Sequence, residues 1–293
     1  MGTELDSRGV DTHDALWSAL ALTTAPEAVR QVHTDYLEAG ARVITTNTYQ
    51  ATLPALLRAG HDAHRAREVI AAGARLAGEA ARRFEAEHPE AQVLIAGGLG
   101  PYGAYLADGS EYTGVYDVGA LDAPVFRDVH LPRIEMLAGE GIDLFALETL
   151  PRLDEAQALV GAVEDLAAES ECWVSFQVRP DGAHLADGTP LAEAAAWAAD
   201  QETVVAVGVN CVAPDVVARA LPVLREATTK PLVAYPNSGD LYDPATKTWK
   251  AGEEGDGLAA LAPSWGASGV RLIGGCCRTR PAQIRELAHA LSA

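Results

Sequence analysis

The sequence has no apolar run that approaches the ~18 residues needed to cross a bilayer. It also lacks the basic-then-apolar opening of a secretory signal. Both absences place the protein, as an expectation, in the cytoplasm and off the membrane. Basic residues are scarce, with 22 Lys and Arg against 41 Asp and Glu, for a net charge of −19. A surface that acidic excludes nucleic acid as the expected partner, because DNA and RNA need a basic footprint. Otherwise the charge speaks only to solubility. Cysteine is scarce too: four in 293 residues. So few, without a signal segment, suit a reducing compartment and metal or catalytic roles rather than a disulfide framework. No linker or composition break divides the chain, so one domain over residues 1–293 is expected.

What is present gathers at a few positions. Gly274-Gly275-Cys276-Cys277 closes the apolar run that ends at Ile273. Adjacent cysteines make poor disulfide partners for each other, given the Cα separation and dihedral a bridge requires. They can aim two thiolates at one metal ion if the chain bends there, and the glycine pair is expected to allow that bend. Cys211 ends a second apolar run, Val207-Gly208-Val209-Asn210-Cys211. Three thiolates from two strand ends leave one position of a tetrahedral ion open, which is the catalytic rather than the structural arrangement of zinc. The fourth cysteine, Cys172, stands at the opening of a strand-like run and reads as a small buried hydrophobe.

Seven short apolar runs, at 42–46, 93–97, 144–147, 172–178, 204–209, 232–235 and 269–273, alternate with helical patterns at 26–39, 63–87, 153–168, 191–200, 214–227 and 281–291. Pro26, Pro214 and Pro281 suit first-turn positions, and Gly40 suits a helix stop. This alternation predicts a parallel sheet covered by helices. Each run ends in polar or glycine-rich residues: Thr46-Asn47-Thr48, Gly98-Leu99-Gly100-Pro101, Glu148-Thr149, Gln177-Val178-Arg179, Asn210-Cys211, Pro236-Asn237-Ser238-Gly239 and Gly274-Gly275-Cys276-Cys277. An open doubly wound sheet decorates only the strands near its switch point. A closed barrel brings every strand end to one face. The fold class predicted is therefore α/β, a (β/α)8 TIM barrel, with seven strands seen of eight.

These segments, with Gly2-Thr3-Glu4-Leu5, Tyr49-Gln50-Ala51, and the long stretch from Gly100-Pro101-Tyr102-Gly103 to Asp108-Gly109-Ser110-Glu111-Tyr112, resemble the zinc-dependent homocysteine S-methyltransferase family over essentially the whole chain. The likeness is greatest to members that use S-methylmethionine or S-adenosylmethionine. It implies a (β/α)8 barrel and Zn2+ as cofactor, with Cys211, Cys276 and Cys277 as ligands. It implies homocysteine and a sulfonium donor as small-molecule substrates, and Glu148 as the group that meets the homocysteine ammonium. It also implies a lid over the donor at residues 108–112. One departure stands out. The family runs an apolar first strand into Asp-Gly-Gly before Thr-Glu-Leu, and here Met1 directly precedes Gly2-Thr3-Glu4. Two readings follow: a start upstream of Met1, or an open barrel with an altered amino-acid site.

Thr46 and Asn47, at a strand end, are expected to bind substrate, although such residues also cap ordinary turns. Asn210 is expected either to orient its loop or to touch substrate. Asn237 and Ser238 fit a plain turn equally well. The function expected is methyl transfer from a sulfonium donor to the homocysteine thiolate, forming methionine. The alternatives are the same chemistry with betaine or another donor, a related thiol or selenol acceptor, or a non-catalytic zinc-binding barrel. A redox or zinc-buffering protein would leave the other strand ends without a role. Finally, with no strand between them, the 42–46 and 269–273 runs should present unpaired edges, which natural proteins cover or avoid. The 293-residue form is accordingly expected to be destabilised or prone to aggregate, and weak toward homocysteine.

Overall fold

A computed structural model describes residues 1–12, 15–116, 121–243, 248–250 and 257–292. Strands β1 (Val43–Thr45), β2 (Leu94–Leu99), β3 (Leu144–Leu150), β4 (Glu171–Phe176), β5 (Val204–Asn210), β6 (Leu232–Tyr235) and β9 (Val270–Ile273) form one sheet in that order, and β7 (Leu241–Asp243) pairs with β8 (Thr248–Lys250) in a separate hairpin. Every pairing in the main sheet is parallel. The helices are α1 (Gly2–Ser7), α2 (Ala21–Thr24), α3 (Pro26–Glu38), α4 (Leu53–Arg58), α5 (Ala63–Glu87), α6 (Tyr102–Leu106), α7 (Ala123–Gly139), α8 (Leu153–Leu166), α9 (Leu191–Ala199), α10 (Pro214–Ala227), α11 (Leu258–Ala267) and α12 (Pro281–Ser292). None of the described helices is long and apolar enough to cross a membrane.

The expected strands are all present, most with ends shifted by a residue or two. Helices α7 and α11, the short helices α1, α2, α4 and α6, and the β7–β8 hairpin extend the expected set. Pro26, Pro214 and Pro281 do open their helices. Side chains alternate across the sheet, as a period of two requires. Outward residues such as Phe145, Leu147, Val174, Phe176, Val207 and Val209 pack into the main core beneath the helices. Inward residues form a small cluster of Ala96, Ala146, Trp173, Ala206 and Val233. Three alanines make room for one indole, so Trp173 fills the interior and leaves the upper end, at the strand C-termini, for function. Gly208 faces inward where a Cβ would lie 1.7 Å from the Val233 carbonyl oxygen, so only glycine lets β5 approach β6 there.

The sheet curls as a TIM-like barrel but stays open between β1 and β9, its two edge strands. A cavity of about 470 Å³ runs from the strand-end loops to this seam, where Val43, Ile44, Leu272 and Ile273 line it. Helices α3 and α12 close its outer side: a Cβ on Gly40 would lie 2.6 Å from Ala288 Cβ.

Because edge strands exchange through unpaired backbone groups, the seam is measurable. In the 293-residue chain, seam-side amides of Val43–Thr45 and Val270–Ile273 should lose hydrogen-exchange protection well before those of Glu171–Phe176 and Val204–Asn210. Equal protection in all four would show that the seam is covered in solution.

Candidate active site and metal centre

The cysteines come together because two loops are tied to each other and to the chain's first turn. Cys211 follows β5 in a left-handed conformation, φ 53°. Its N–H donates to the Tyr235 carbonyl (3.1 Å), and Asn237 Nδ2 donates to the Cys211 carbonyl (3.3 Å). The same Pro236–Ser238 turn holds the other loop: Cys276 N–H donates to the Pro236 carbonyl (2.7 Å) and Ser238 N–H to the Cys277 carbonyl (3.1 Å). From the opposite side, Arg278 N–H donates to Thr3 Oγ1 (2.8 Å), and Arg280 pairs with Glu4 (2.7 Å). Tyr36 Oη donates to the Thr279 carbonyl (2.6 Å).

The bend in the cysteine loop has a different cause from the one expected. Neither Gly274 nor Gly275 has a positive φ; Arg278 does, at 62°. Gly275 is required by close packing instead, since a Cβ would stand 2.2 Å from Thr279 Cγ2. Left-handed non-glycine residues store strain of about 1–3 kcal/mol each. Of the five such residues described, Trp17, Ala107, Thr149 and Cys211 line this one cavity, and Arg278 follows its cysteine pair.

The sulfurs of Cys211, Cys276 and Cys277 all lie within 4.8 Å of one another, with Cys211 Sγ and Cys277 Sγ 3.6 Å apart. Ligands at the usual Zn–S distance of about 2.3 Å in a tetrahedron stand about 3.8 Å apart, so the spacing fits a bound zinc. Contact with Cys276 lowers the Cys211 thiol, but contact with Cys277 and burial outweigh it and hold that thiol well above the usual range. Contact with Cys211 raises Cys276, and Cys277 also ends well above the usual range. Three thiols this crowded give up their protons readily only to a cation placed among them. Cys172 takes no part: it opens β4, fully buried in the core, and burial raises its thiol to about 12.

Glu148 enters the cavity from a bulge in β3, where the register with β4 breaks between Leu147 and Leu150 and Thr149 turns left-handed (φ 62°). Asn210 fixes the bulge. Its Oδ1 accepts from Thr149 N–H (2.8 Å) and Ser175 Oγ (2.7 Å), and its Nδ2 donates to Thr149 Oγ1 (2.8 Å). Gly98 packs beneath against the β1 end, where a Cβ would lie 2.8 Å from Thr45 Cγ2 and 3.0 Å from the Thr46 carbonyl oxygen. Burial pushes the Glu148 carboxyl up to about 7, opposed by a hydrogen bond from Tyr235. Trp173 Nε1 in turn donates to Tyr235 Oη (3.0 Å).

The β1 loop forms another wall. Thr46 Oγ1 accepts from Gly98 N–H (2.9 Å) and shares a proton with Thr48 Oγ1 (2.6 Å); Asn47 Nδ2 donates to the Ser18 carbonyl (2.8 Å). Beneath this wall Arg133, fully buried on α7, donates to the carbonyls of Thr48 (3.2 Å), Tyr49 (2.6 Å) and Gly100 (2.8 Å). His130 links it to the buried Glu155 (3.0 Å), which also accepts from Tyr116 Oη (2.6 Å). One buried cation thus fixes two strand-end loops, and burial lowers it only to about 10. Cys211, Cys276, Cys277, Glu148, Thr46, Asn47, Tyr49, Glu111, Tyr112 and Tyr235 all line the same cavity.

The family model for homocysteine S-methyltransferase matches residues 1–291. The chain belongs to the homocysteine S-methyltransferase family. It is 46% identical over 291 residues to the homocysteine S-methyltransferase of Escherichia coli, covering 98% of this chain and 92% of that one. It is 41% identical over 292 residues to a homocysteine S-methyltransferase of Bacillus subtilis, covering 98% and 91%. The crystal structure of the Escherichia coli homocysteine methyltransferase in metallated form superposes with a TM-score of 0.88 at 42% identity, over 99% of this chain and 93% of that one. The apo form superposes less closely, at 0.79.

In this homocysteine S-methyltransferase family member the expected site residues converge, with one change of place. Cys211, Cys276, Cys277, Glu148, Thr46 and Asn47 reach the cavity, whereas Asn210 is fully buried behind it and has its amide committed to Thr149 and Ser175. The orienting role, of the two expected for Asn210, is the one its contacts fit. Tyr235 and Gln50 were not expected as site residues, whereas Glu111 and Tyr112 belong to the 108–112 segment expected over the donor; all four line the cavity. Tyr235 stands in the same Tyr-Pro-Asn-Ser stretch as the turn that ties the loops. Tyr112 Oη comes within 4.0 Å of Cys211 Sγ.

Glu148 gives a pH test with a definite sign. Its folded pKa of about 7 lies above the ordinary 4.5. Its contribution to stability is therefore complete below about pH 4.5 and is lost as pH rises through 7. Metal-free Glu148→Gln should melt higher than the parent at pH 8 and with it at pH 4.5. The opposite order at pH 8, read by thermal denaturation, would mean that the carboxylate is stabilised in place.

Proposed function

We propose that this chain transfers a methyl group from a sulfonium donor, S-methylmethionine or S-adenosylmethionine, to the thiolate of homocysteine, forming methionine with Zn2+ held by Cys211, Cys276 and Cys277. The observation that carries the reading is the three-thiol cluster, with no fourth protein ligand in its group among the described residues. Three protein ligands leave a position for a substrate sulfur. Zinc, when bound, would keep a substrate thiol deprotonated at neutral pH. A neutral thiol is a far weaker nucleophile.

The chain's own residues then act by position and charge. Glu148, half-buried beside the cysteines, suits the homocysteine ammonium, and Asn210 and Tyr235 hold it in place. Thr46 and Asn47 bound the same cavity. The homocysteine sulfur forms a bond to the methyl carbon as the donor S–CH3 bond breaks, and that electron pair stays on the donor sulfur. The sulfonium charge disappears, and no general acid is needed. What the site supplies is alignment of two sulfurs, worth up to about 7–11 kcal/mol in well-oriented systems.

The test is zinc content and methyl transfer measured together. Replacing Cys211, Cys276 or Cys277 by Ala should remove zinc and activity at once, whereas Cys172→Ala should keep full zinc. Glu148→Ala should keep zinc and lose roughly 2–5 kcal/mol in kcat/KM, as when one partner of a buried charge pair is removed. A donor panel of S-methylmethionine, S-adenosylmethionine and betaine, with homocysteine as acceptor, identifies the donor. Full zinc in Cys277→Ala, or parent-like kinetics in Glu148→Ala, would overturn the corresponding assignment.

A further inference from the structure

Two acceptor atoms in the cavity have nothing to accept. Glu111 Oε2 and Gln50 Oε1 are buried and make no hydrogen bond among the described residues. The two residues are only 8% and 7% exposed, and both line the cavity that holds the cysteines. Leaving such atoms dry and unpaired is costly, so a native site of this kind usually has a ligand to match.

Both side chains are built onto one turn. Gln50 Nε2 donates to the Ala104 carbonyl (3.0 Å), which commits its amide nitrogen and leaves its oxygen free. The Glu111 backbone is packed on the neighbouring residue, where a Cβ on Gly103 would lie 2.4 Å from Glu111 N. The next residue, Tyr112, brings its hydroxyl within 4.0 Å of Cys211 Sγ. The turn therefore presents a carboxylate oxygen and an amide oxygen to the cavity that holds the thiol cluster. Two free acceptors, one of them anionic, match a cation that carries several N–H donors.

We propose that Glu111 and Gln50 form an ammonium subsite that captures the α-amino group of the methyl donor, so that the site selects amino-acid sulfonium donors. This rests on the methyl-transfer reading above. Neighbouring charge agrees with it. Burial first, and Asp108 next, hold the Glu111 carboxyl at about 7, with only its own backbone N–H acting the other way. A bound ammonium would supply the missing counter-charge. The two cavity carboxyls stand on different elements, Glu148 on β3 and Glu111 on the turn that follows α6. Each suits one substrate's ammonium.

The ammonium is a better partner for this carboxylate than the sulfonium. Sulfonium charge vanishes on methyl transfer, so a carboxylate against it would favour the ground state over the transition state. Ammonium charge is unchanged by the reaction. Binding there captures and aligns the donor without opposing the chemistry.

The experiment compares S-methylmethionine with 4-(dimethylsulfonio)butanoate, which keeps the sulfonium and carboxylate but lacks the α-amino group. Both are titrated calorimetrically into the zinc-loaded protein and assayed with homocysteine. The wild type should prefer S-methylmethionine by roughly 30-fold or more in kcat/KM and in affinity. Glu111→Gln, nearly isosteric, should lose most of that preference through a higher donor KM. Its zinc content and homocysteine KM should stay at wild-type values. No discrimination by the wild type would overturn the subsite without any variant being made. So would a Glu111→Gln protein whose homocysteine KM rises in place of the donor KM. A wild type that methylates homocysteine from no sulfonium would overturn the function itself, while the calorimetric comparison would still report on the subsite.

Discussion

One cavity of this protein gathers acids at its strand ends, while the arginines that line it, Arg42 and Arg271, spend their guanidinium groups on backbone carbonyls. Three thiols and two carboxyls, those of Cys211, Cys276, Cys277, Glu148 and Glu111, share it. All five are held above their ordinary pKa ranges, and no lysine or arginine is among the groups that act most strongly on them. The cation that does act on them is the amino group of Met1, which opposes the rise at Glu148 and Cys277. A divalent metal suits the thiol cluster, and ammonium groups suit the carboxyls. The charges expected of the ligands thus follow from the charge missing in the wall.

Holding these groups together against their mutual repulsion is the task of the surrounding structure. The Pro236–Ser238 turn joins the loops after β5 and β9, so the two cysteine-bearing strand ends move as one unit. The first turn of the chain grips the same loop through Thr3 and Glu4. On the far wall Arg133 fixes the β1 and β2 loops through three carbonyls, and its buried charge is balanced through His130 by Glu155. Strain at Thr149, Cys211 and Arg278 is sustained by these contacts. The cavity also extends to the open seam between β1 and β9, so the site and the barrel's unclosed edge adjoin.

Much of this was legible in the sequence, for physical reasons. Buried parallel strands read as short apolar runs, and all seven main strands followed from them. The metal ligands followed because strand C-termini of a barrel converge, which brings Cys211 to Cys276 and Cys277 across 65 residues of chain. Helix α7 was not legible: it contains Pro132, and its buried face interleaves His130 and Arg133 with Phe126, Val129, Ile134 and Leu137. Helix α11 likewise contains Pro263. The β7–β8 hairpin has strands of three residues, too short for a period to register. Glu111 and Gln50 sit in loop sequence, where acidic and amide side chains ordinarily meet water. Their burial appears only once the turn at Gly103 and Ala104 is folded against them. The glycine pair shows the converse error, since its position was right and its cause was packing on Thr279 rather than backbone freedom.

The central claim is that three thiols from two strand ends form one metal site with a place left for substrate sulfur. X-ray absorption at the zinc edge reads this directly. The zinc-loaded protein should show three sulfur ligands at about 2.3 Å and one lighter atom, and addition of homocysteine should convert the shell to four sulfurs. Four sulfurs before homocysteine is added, or a shell that homocysteine leaves unchanged, would contradict the account.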